Sequence, residues 1–330
     1  MIIIYKKKVS IILVCKNEIN HIENTLNSLL NQSYDNKEIL VCDGLSTDGT
    51  QKKILELSKN NPDIFLFENK KIFTSNGLNL GIENSSGEYI FIAGAHTEYN
   101  NFYIEKCIEF LENNLSVACV GGIAKCYPKN NTIYEKSFAD LYSSPFGIGN
   151  AKYRFEKSEE KVDTVAYGIY RKEVFEKYGL FNENLIRNQD IEFNYRLNKN
   201  GENIFLIPIE NKYFAPSTIK KFLKKNFGNG LWVIKSSKYS EKAFSLRHLI
   251  PLFFVLFLIL GTVFSLFFKP VLYGFMFILG FYTALNILFS FRLALRRKCF
   301  LCFFLNIIGF AVLHLSYGFG SLFSLINYFK

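Results

Sequence analysis

Apolar residues come in short unbroken runs through the first two-thirds of the chain and in long ones through the last third. Val9 to Val14 (VSIILV), Glu38 to Cys42 (EILVC), Ile64 to Phe67, Tyr89 to Ala93 and Val117 to Val120 are each of strand length. Runs without polar alternation fit strands covered on both faces. Between them apolar residues recur at helical spacing: Ile22, Leu26, Leu29 and Leu30, then Ile54 and Leu57, then Ile104, Cys107, Ile108 and Leu111. Asn20-His21-Ile22-Glu23 predicts a capping box, with Asn20 as N-cap and Glu23 at N3. Asp48 is expected to cap the second helix. Strand and helix alternate, which predicts an α/β fold with a mostly parallel sheet and ligands at the strand C-termini.

From Leu249 the pattern changes. Leu249 to Phe268, Val271 to Phe291 and a run from Cys299 are each near the roughly 20 apolar residues that span a bilayer. Gly318 and Gly320 blur the end of the third. Three crossings are expected. Just ahead, Pro216-Ser217-Thr218 can start a helix in which Ile219, Phe222 and Leu223 share a face. Lys220, Lys221, Lys224 and Lys225 cluster elsewhere on it, and Trp232, the one tryptophan, follows. That pattern suits a helix lying on an anionic membrane surface. The predicted organisation is a globular domain over 1–215, a basic interfacial segment over 216–248 and a membrane domain over 249–330.

The formal net charge of +10 sharpens this picture. Residues 216–248 hold eight Lys/Arg against Glu241, and 249–330 hold six with no Asp or Glu, so the residues before 216 are net acidic. Basicity confined to the flanks of apolar runs indicates a membrane partner and no nucleic acid. Lys269 stands alone between the first two runs, whereas Arg292, Arg296, Arg297 and Lys298 follow the second. The positive-inside rule then places the N-terminal domain in the cytoplasm, on a multi-pass protein of the cytoplasmic (inner) membrane. MIIIYKKKVS has its charges after its apolar residues, the wrong order for a signal peptide. The seven cysteines show no disulfide framework, and small buried thiols in a reducing compartment are expected, Cys299 and Cys302 included.

Two common nucleotide signatures are missing. Neither G-x-G-x-x-G nor a P-loop follows the first strand; the loop there reads Cys15-Lys16-Asn17-Glu18-Ile19-Asn20, so polar side chains take the place of glycine-exposed amides. Three blocks, "VSIILVCKNEINHIENTLNSLLNQ", "EILVCDGLSTDGT" and "GLNLGIENSSGEYIFI", resemble glycosyltransferase family 2 in order and spacing. Later blocks, among them "SSPFGIGNAKYRF", "VDTVAYGIYRKEVFEKYGLFNENLIRNQDIEFNYRLNKNG" and "LRHLIPLFF", are similar to its succinoglycan-biosynthesis glucosyltransferase branch. The likeness runs from about residue 8 into the first apolar tract.

The resemblance implies a GT-A nucleotide-diphospho-sugar transferase fold and an inverting transfer of a hexose. The donor would be a nucleotide-sugar, a UDP-sugar, and the acceptor a lipid-linked saccharide of exopolysaccharide or surface-glycan synthesis. It implies nucleotide-sugar contacts from Lys16, Glu18, Asp43, Gly77 and Asn79. On residues alone, Asp43-Gly44 reads equally as a turn. The family's catalytic acidic pair matches Gln189-Asp190, with Asp190 as the base. A carboxylate at a helix N-terminus is favoured as the anion, and near a diphosphate its proton affinity would rise. Gln189, which stands for a glutamate, and Asp163 in the "VDTVAYG" block are the implied acceptor or sugar contacts.

The stretch IFIAGAHTEYN occupies the register of the family's metal motif. Gly94 stands at the first aspartate, and His96 at the third position keeps the histidine of its branch. By itself a histidine at a strand end reads as structural; in register His96 is the expected metal ligand or diphosphate contact. Imidazole suits Mn²⁺ and fits Mg²⁺ poorly, so a divalent metal, Mn²⁺ in preference to Mg²⁺, is the expected cofactor. Gly94 and Gln189 favour one competing reading, a catalytically silent relative acting as a binding or assembly subunit. The Q-x-x-R-W of processive synthases is missing around Trp232, which favours one sugar per encounter.

Overall fold

The computed structural model describes residues 7–149, 151–154, 158–239 and 246–328. The signal-peptide argument falls partly on 1–6, and part of the basic segment on 240–245, both outside the described residues. The chain divides into two compact units: residues up to Lys125 together with Lys152–Tyr213, and Cys126–Ala151 together with the residues from Phe214 on. The predicted organisation cuts the chain after 215 and has no counterpart for the excursion over Cys126–Ala151. That segment carries no hydropathy signal because it is an ordinary amphipathic stretch whose apolar side meets the C-terminal helices.

The first unit holds β1 (Val9–Cys15), α1 (Ile22–Leu30), β2 (Lys37–Asp43), α2 (Thr50–Ser58), β3 (Ile64–Glu68), α3 (Thr74–Glu83), β4 (Tyr89–Gly94), β5 (Thr97–Glu98), α4 (Tyr103–Asn113) and β6 (Val117–Tyr127). The chain enters the second unit for α5 (Ile133–Leu141) and α6 (Pro145–Ile148). It returns for β7 (Glu160–Lys161), β8 (Ala166–Arg171), α7 (Glu173–Tyr178), α8 (Gln189–Lys199) and β9 (Asn203–Phe214). The strands form one sheet in the order β3-β2-β1-β4-β8-β6-β9-β5, with β7 also on β9. β3, β2, β1 and β4 are parallel. β8 runs antiparallel to β4 and β6, and β5 and β7 antiparallel to β9. The sheet is thus mixed, its parallel part being the half that reads clearly in the sequence.

β1 explains the unbroken apolar run. Ile11 and Leu13 face the core built with Ile22, Leu26 and Leu29 of α1. Ile12 faces the opposite core with Leu78 and Ile82 of α3. A strand sandwiched this way has no solvent face on which to place polar residues. The expected capping box does not form: α1 starts one residue later, with His21 at the N-cap and no side-chain cap bond. Asp48 does meet the start of α2, its Oδ1 accepting from the Thr50 amide at 3.0 Å.

The second unit adds α9 (Ile219–Ser236), α10 (Ile250–Ser265), α11 (Lys269–Arg297) and α12 (Phe300–Tyr328) to α5 and α6. Thr218 caps α9, its hydroxyl accepting from the Lys221 amide at 3.2 Å. Phe222 stacks on Phe138, ring centroids 4.1 Å apart, and Trp232, Val233 and Ile234 are buried. Lys220, Lys221 and Lys224 remain exposed beside Ile219 and Leu223. Gly318 and Gly320 do not end α12; they let neighbours approach it. A Cβ on Gly320 would lie 2.1 Å from the Phe227 carbonyl oxygen, one on Gly318 2.2 Å from that of Pro251. From the α9 side, a Cβ on Gly230 would lie 1.9 Å from the Tyr317 carbonyl oxygen.

Among the described residues two helices, α11 and α12, are long and apolar enough to cross a membrane, against the three expected spans. α10, with 16 residues, reaches only about 24 Å at 1.5 Å per residue, short of a hydrocarbon core of about 30 Å. α11 continues past Phe291 through the basic cluster to Arg297. There Arg297 meets Asp140 of α5: its Nε lies 2.8 and 2.9 Å from the two carboxylate oxygens. Cys299 and Cys302, expected as separate thiols, form a disulfide where α12 begins. One helical turn brings their Cα atoms to 5.3 Å, inside the range a disulfide needs. The other five cysteines are buried and outside any disulfide among the described residues.

Candidate functional site

Two loops meet beyond the C-terminal ends of β1 and β2, and backbone amides stitch them together. The Asn17 amide donates to Ser46 Oγ at 2.7 Å, Glu18 to Thr50 Oγ1 at 2.8 Å and Ile19 to Asp48 Oδ2 at 3.1 Å. In return the Thr47 amide donates to Asn17 Oδ1 at 2.8 Å. Asn17, Leu45 and, on the adjoining loop after β3, Ile72 all hold positive φ (55°, 59° and 71°). Left-handed backbone at an asparagine is tolerable, but at leucine and β-branched isoleucine it is costly and survives only where the surroundings enforce it.

Asp43 ends β2 fully buried. Its carboxylate accepts from the Ser46 amide at 2.8 Å, Ser46 Oγ at 2.5 Å, Gln51 Nε2 at 2.6 Å and the Cys15 thiol at 3.6 Å. Those four donors fill the acceptor positions a carboxylate offers. Lys16 is exposed next to this loop, and Glu18 is half-buried. Gly77 and Asn79 lie in α3. A Cβ on Gly77 would sit 2.8 Å from a methyl of Val14, so this glycine seats the helix on β1. Asn79 donates to the Phe181 carbonyl at 2.9 Å and accepts from the Phe181 amide at 3.0 Å. Both residues hold scaffold here.

Beyond β4 the structure brings together a set the sequence did not reveal. Glu18 Oε1 and His96 Nε2 are 3.0 Å apart. The rings of His21 and His96 meet edge to face, centroids 4.7 Å apart. One ligand atom from each of Glu18, His21 and His96 lies within 4.8 Å of the others. Thr25 fixes this meeting: its amide donates to the His21 carbonyl at 3.1 Å and its hydroxyl to the Ala95 carbonyl at 2.9 Å. Two nitrogens and a carboxylate oxygen match the donors of a divalent transition metal. The signal for His21 was its rarity: two of the chain's four histidines meet here.

Gly94 is explained by Tyr167. A Cβ on Gly94 would fall 2.9 Å from Tyr167 Cε1. The ring is held there by Thr97 Oγ1, which donates to its hydroxyl at 2.6 Å, and by edge contact with Tyr99. Tyr103 donates to the Tyr167 carbonyl at 2.6 Å, fixing a residue with φ of 56°. An aromatic ring therefore fills the place of the first aspartate side chain.

Asp190 sits in the first turn of α8, behind Asn188 at φ 63°. Burial pushes its carboxyl above the ordinary range, only partly opposed by the backbone amides of Ile191 and Asp190 itself. A buried relay places the helix: Tyr170 donates to Asn194 Oδ1 at 2.9 Å, and Asn194 Nδ2 donates to Thr164 Oγ1 at 2.9 Å. Phe193 stacks on Phe175 at 4.7 Å, and Arg196 pairs with Glu192 at 2.9 Å. Beside Asp190, Asn188 Nδ2 and Gln189 Oε1 are buried without a hydrogen-bond partner among the described residues. A donor and an acceptor left in this state suit a polyhydroxyl ligand. Asp163 is exposed, and its carbonyl accepts from Asn198 of α8 at 3.0 Å.

Comparison with known proteins places this geometry. The profile of Glycosyl transferase family 2 matches residues 10–179. The chain is 34% identical over 280 residues (77% of this chain, 81% of the relative) to the dolichyl N-acetyl-alpha-D-glucosaminyl phosphate 3-beta-D-2,3-diacetamido-2,3-dideoxy-beta-D-glucuronosyltransferase of Methanococcus voltae. It is 24% identical to the succinoglycan biosynthesis protein ExoA of Rhizobium meliloti (strain 1021), over 73% of this chain and 74% of that one. Among solved structures, a mannosyltransferase of Pyrobaculum calidifontis, in complex with GDP-Man and Mn²⁺, superposes with a TM-score of 0.60 at 16% identity. That match covers 97% of this chain and 88% of the other, and supports the GT-A fold.

Proposed function

We propose that this chain, which belongs to glycosyltransferase family 2, is a membrane-anchored inverting enzyme that moves a hexose from a UDP-sugar to a lipid-linked saccharide. The observation that carries the reading is Asp190: a carboxylate of raised proton affinity at a helix start, flanked by a buried donor and acceptor without partners. Such a group suits removal of a proton from an attacking hydroxyl. Asn188 and Gln189, just ahead of it in the chain, would hold sugar hydroxyls, with Asp163 as a further acceptor or sugar contact. Lys16, Glu18 and Asp43 line the strand-end loops where the nucleotide would bind. A divalent metal bound at His96, Mn²⁺ in preference to Mg²⁺, would supply positive charge to the leaving diphosphate.

The acceptor class follows from the company the domain keeps. Two membrane-length helices and the exposed lysines of α9 suit an acceptor presented at a bilayer. The names of the Methanococcus voltae and Rhizobium meliloti relatives, with a dolichyl-phosphate-linked substrate and succinoglycan, point the same way. With α10 as a short third crossing over which the bilayer thins, the positive-inside rule puts the catalytic unit in the cytoplasm of a multi-pass inner-membrane protein. The test is UDP release from UDP-hexoses by membranes containing the protein, supplied with lipid-linked saccharide. Acceptor-dependent release that Asp190→Asn abolishes supports the reading. Nucleotide binding without release from any donor would support a silent assembly subunit instead.

A further inference from the structure

We infer that Glu18 and His21 join His96 in a two-histidine, one-carboxylate metal site, so that the β1–α1 turn replaces the carboxylate that Gly94 does not provide. The inference rests on the proposed donor-phosphate site and adds two ligands to it. Three observations carry it. The ligand atoms of Glu18, His21 and His96 already lie within 4.8 Å of one another. Ligands about 2.1 Å from one ion sit roughly 3.0–3.5 Å apart, so side-chain rotation suffices to close the set. The backbone beneath them is fixed: Thr25 bridges the His21 turn to Ala95, and the Glu18 amide is anchored on Thr50 Oγ1. Finally, a side chain at position 94 would have to displace the Tyr167 ring, so in this packing that position supplies no ligand.

The donor set dictates the metal class. Two imidazoles and one carboxylate favour Mn²⁺, Co²⁺ and Zn²⁺ over Mg²⁺, which prefers oxygen ligands and retains its waters. Three protein ligands also leave coordination positions open, and those positions are where a diphosphate would enter.

The test reads metal binding, with neither donor nor acceptor present. Full-length protein in detergent micelles is titrated with Co²⁺ and Mn²⁺ by calorimetry, and Co²⁺ is followed by its visible absorption. His21→Ala and Glu18→Gln should each weaken binding by at least the about 10-fold to 100-fold that loss of an outer-shell partner costs. Pulsed electron-spin echo of bound Mn²⁺ on the unmutated protein should show two imidazole nitrogens, a readout independent of how any variant folds. A single imidazole nitrogen, His21→Ala binding as tightly as the parent, or no binding by the parent overturns the inference. The functional reading fails separately: metal bound by all three residues without sugar transfer would sink the transferase proposal and leave the site standing. Transfer unaffected by His21→Ala would do the reverse.

Discussion

Tyr167 Cε1 stands 2.9 Å from the place a Cβ on Gly94 would occupy, and both ends of the tyrosine are tied down, by Thr97 at the hydroxyl and Tyr103 at the carbonyl. Restoring an aspartate at position 94 is therefore a packing change before it is a chemical one. Gly94→Asp should lower stability by about 1–3 kcal/mol, the usual range for overpacking, and should not strengthen metal binding. Tyr167→Ser combined with Gly94→Asp should recover part of that loss. Thermal unfolding of the two variants checks both statements.

Asp190 yields a prediction in which stability and activity move in opposite directions. Its folded-state proton affinity is raised by burial, so the native state holds this proton to higher pH than the unfolded chain. The sign follows: native stability falls as pH rises from the unfolded value, near 3.9, through the raised folded value, and the deficit persists at neutrality. Asp190→Asn should therefore melt higher than the parent at pH 7, while the two converge in acid. Its turnover should drop by about 10²–10⁴-fold, the typical contribution of a general base. In the parent, the acid limb of kcat/KM should lie above the ordinary aspartate range.

Arg297 and Asp140 make a third, structural prediction. The pair joins α5 to the end of α11 through two-pronged contacts, with Asp140 nearly buried and Arg297 partly exposed. Removing one partner strands the other: Arg297→Ala should cost about 3–5 kcal/mol. Asp140→Asn with Arg297→Gln, which removes both charges, should cost less than either charge-stranding single change. Unfolding in detergent, read as a double-mutant cycle, decides this.

Close approach of α9 and α12 gives a fourth. Gly230→Ala would drive a methyl to within 1.9 Å of the Tyr317 carbonyl oxygen. Gly274 in α11, where an added Cβ meets nothing within 4 Å, is the internal control. Gly230→Ala should destabilise the helices and increase proteolysis, whereas Gly274→Ala should be neutral or stabilising, since alanine is the better helix former. Equal behaviour of the two variants would contradict the packing assigned to Gly230.

How far the sequence disclosed this protein depends on the range of the interaction concerned. β1, β2 and β4 were legible because a strand covered on both faces must be apolar throughout. α1 was legible from the spacing of Ile22, Leu26 and Leu29. The start of α1 was misread, since Asn20 and Glu23 satisfy a local rule while the turn answers to Thr50 and Asp48 across the loop. His96 stood out by register, but His21 did not, because its meeting with His96 is set by one hydroxyl, that of Thr25, some seventy residues from its acceptor. Gly318 and Gly320 looked like helix breakers because the neighbours they accommodate, α10 for Gly318 and α9 for Gly320, lie far back in the chain. The reason for Gly94 lay equally far away, in Tyr167.

The saturated carboxylate of Asp43 has a consequence for ligand entry. With Cys15, Ser46 and Gln51 on all its acceptor positions, any ribose or base edge arriving there must evict an internal donor. The count of hydrogen bonds at that carboxylate then stays level, and recognition becomes an exchange reaction, with the displaced group free to turn toward the newcomer. Ser46 is the natural group to leave, because it holds Asp43 through both amide and hydroxyl and also carries the Asn17 amide. Occupancy at the end of β2 would thereby be communicated to the turn that bears Glu18 and His21, and nucleotide and cation would be bound by one mechanically connected pair of loops.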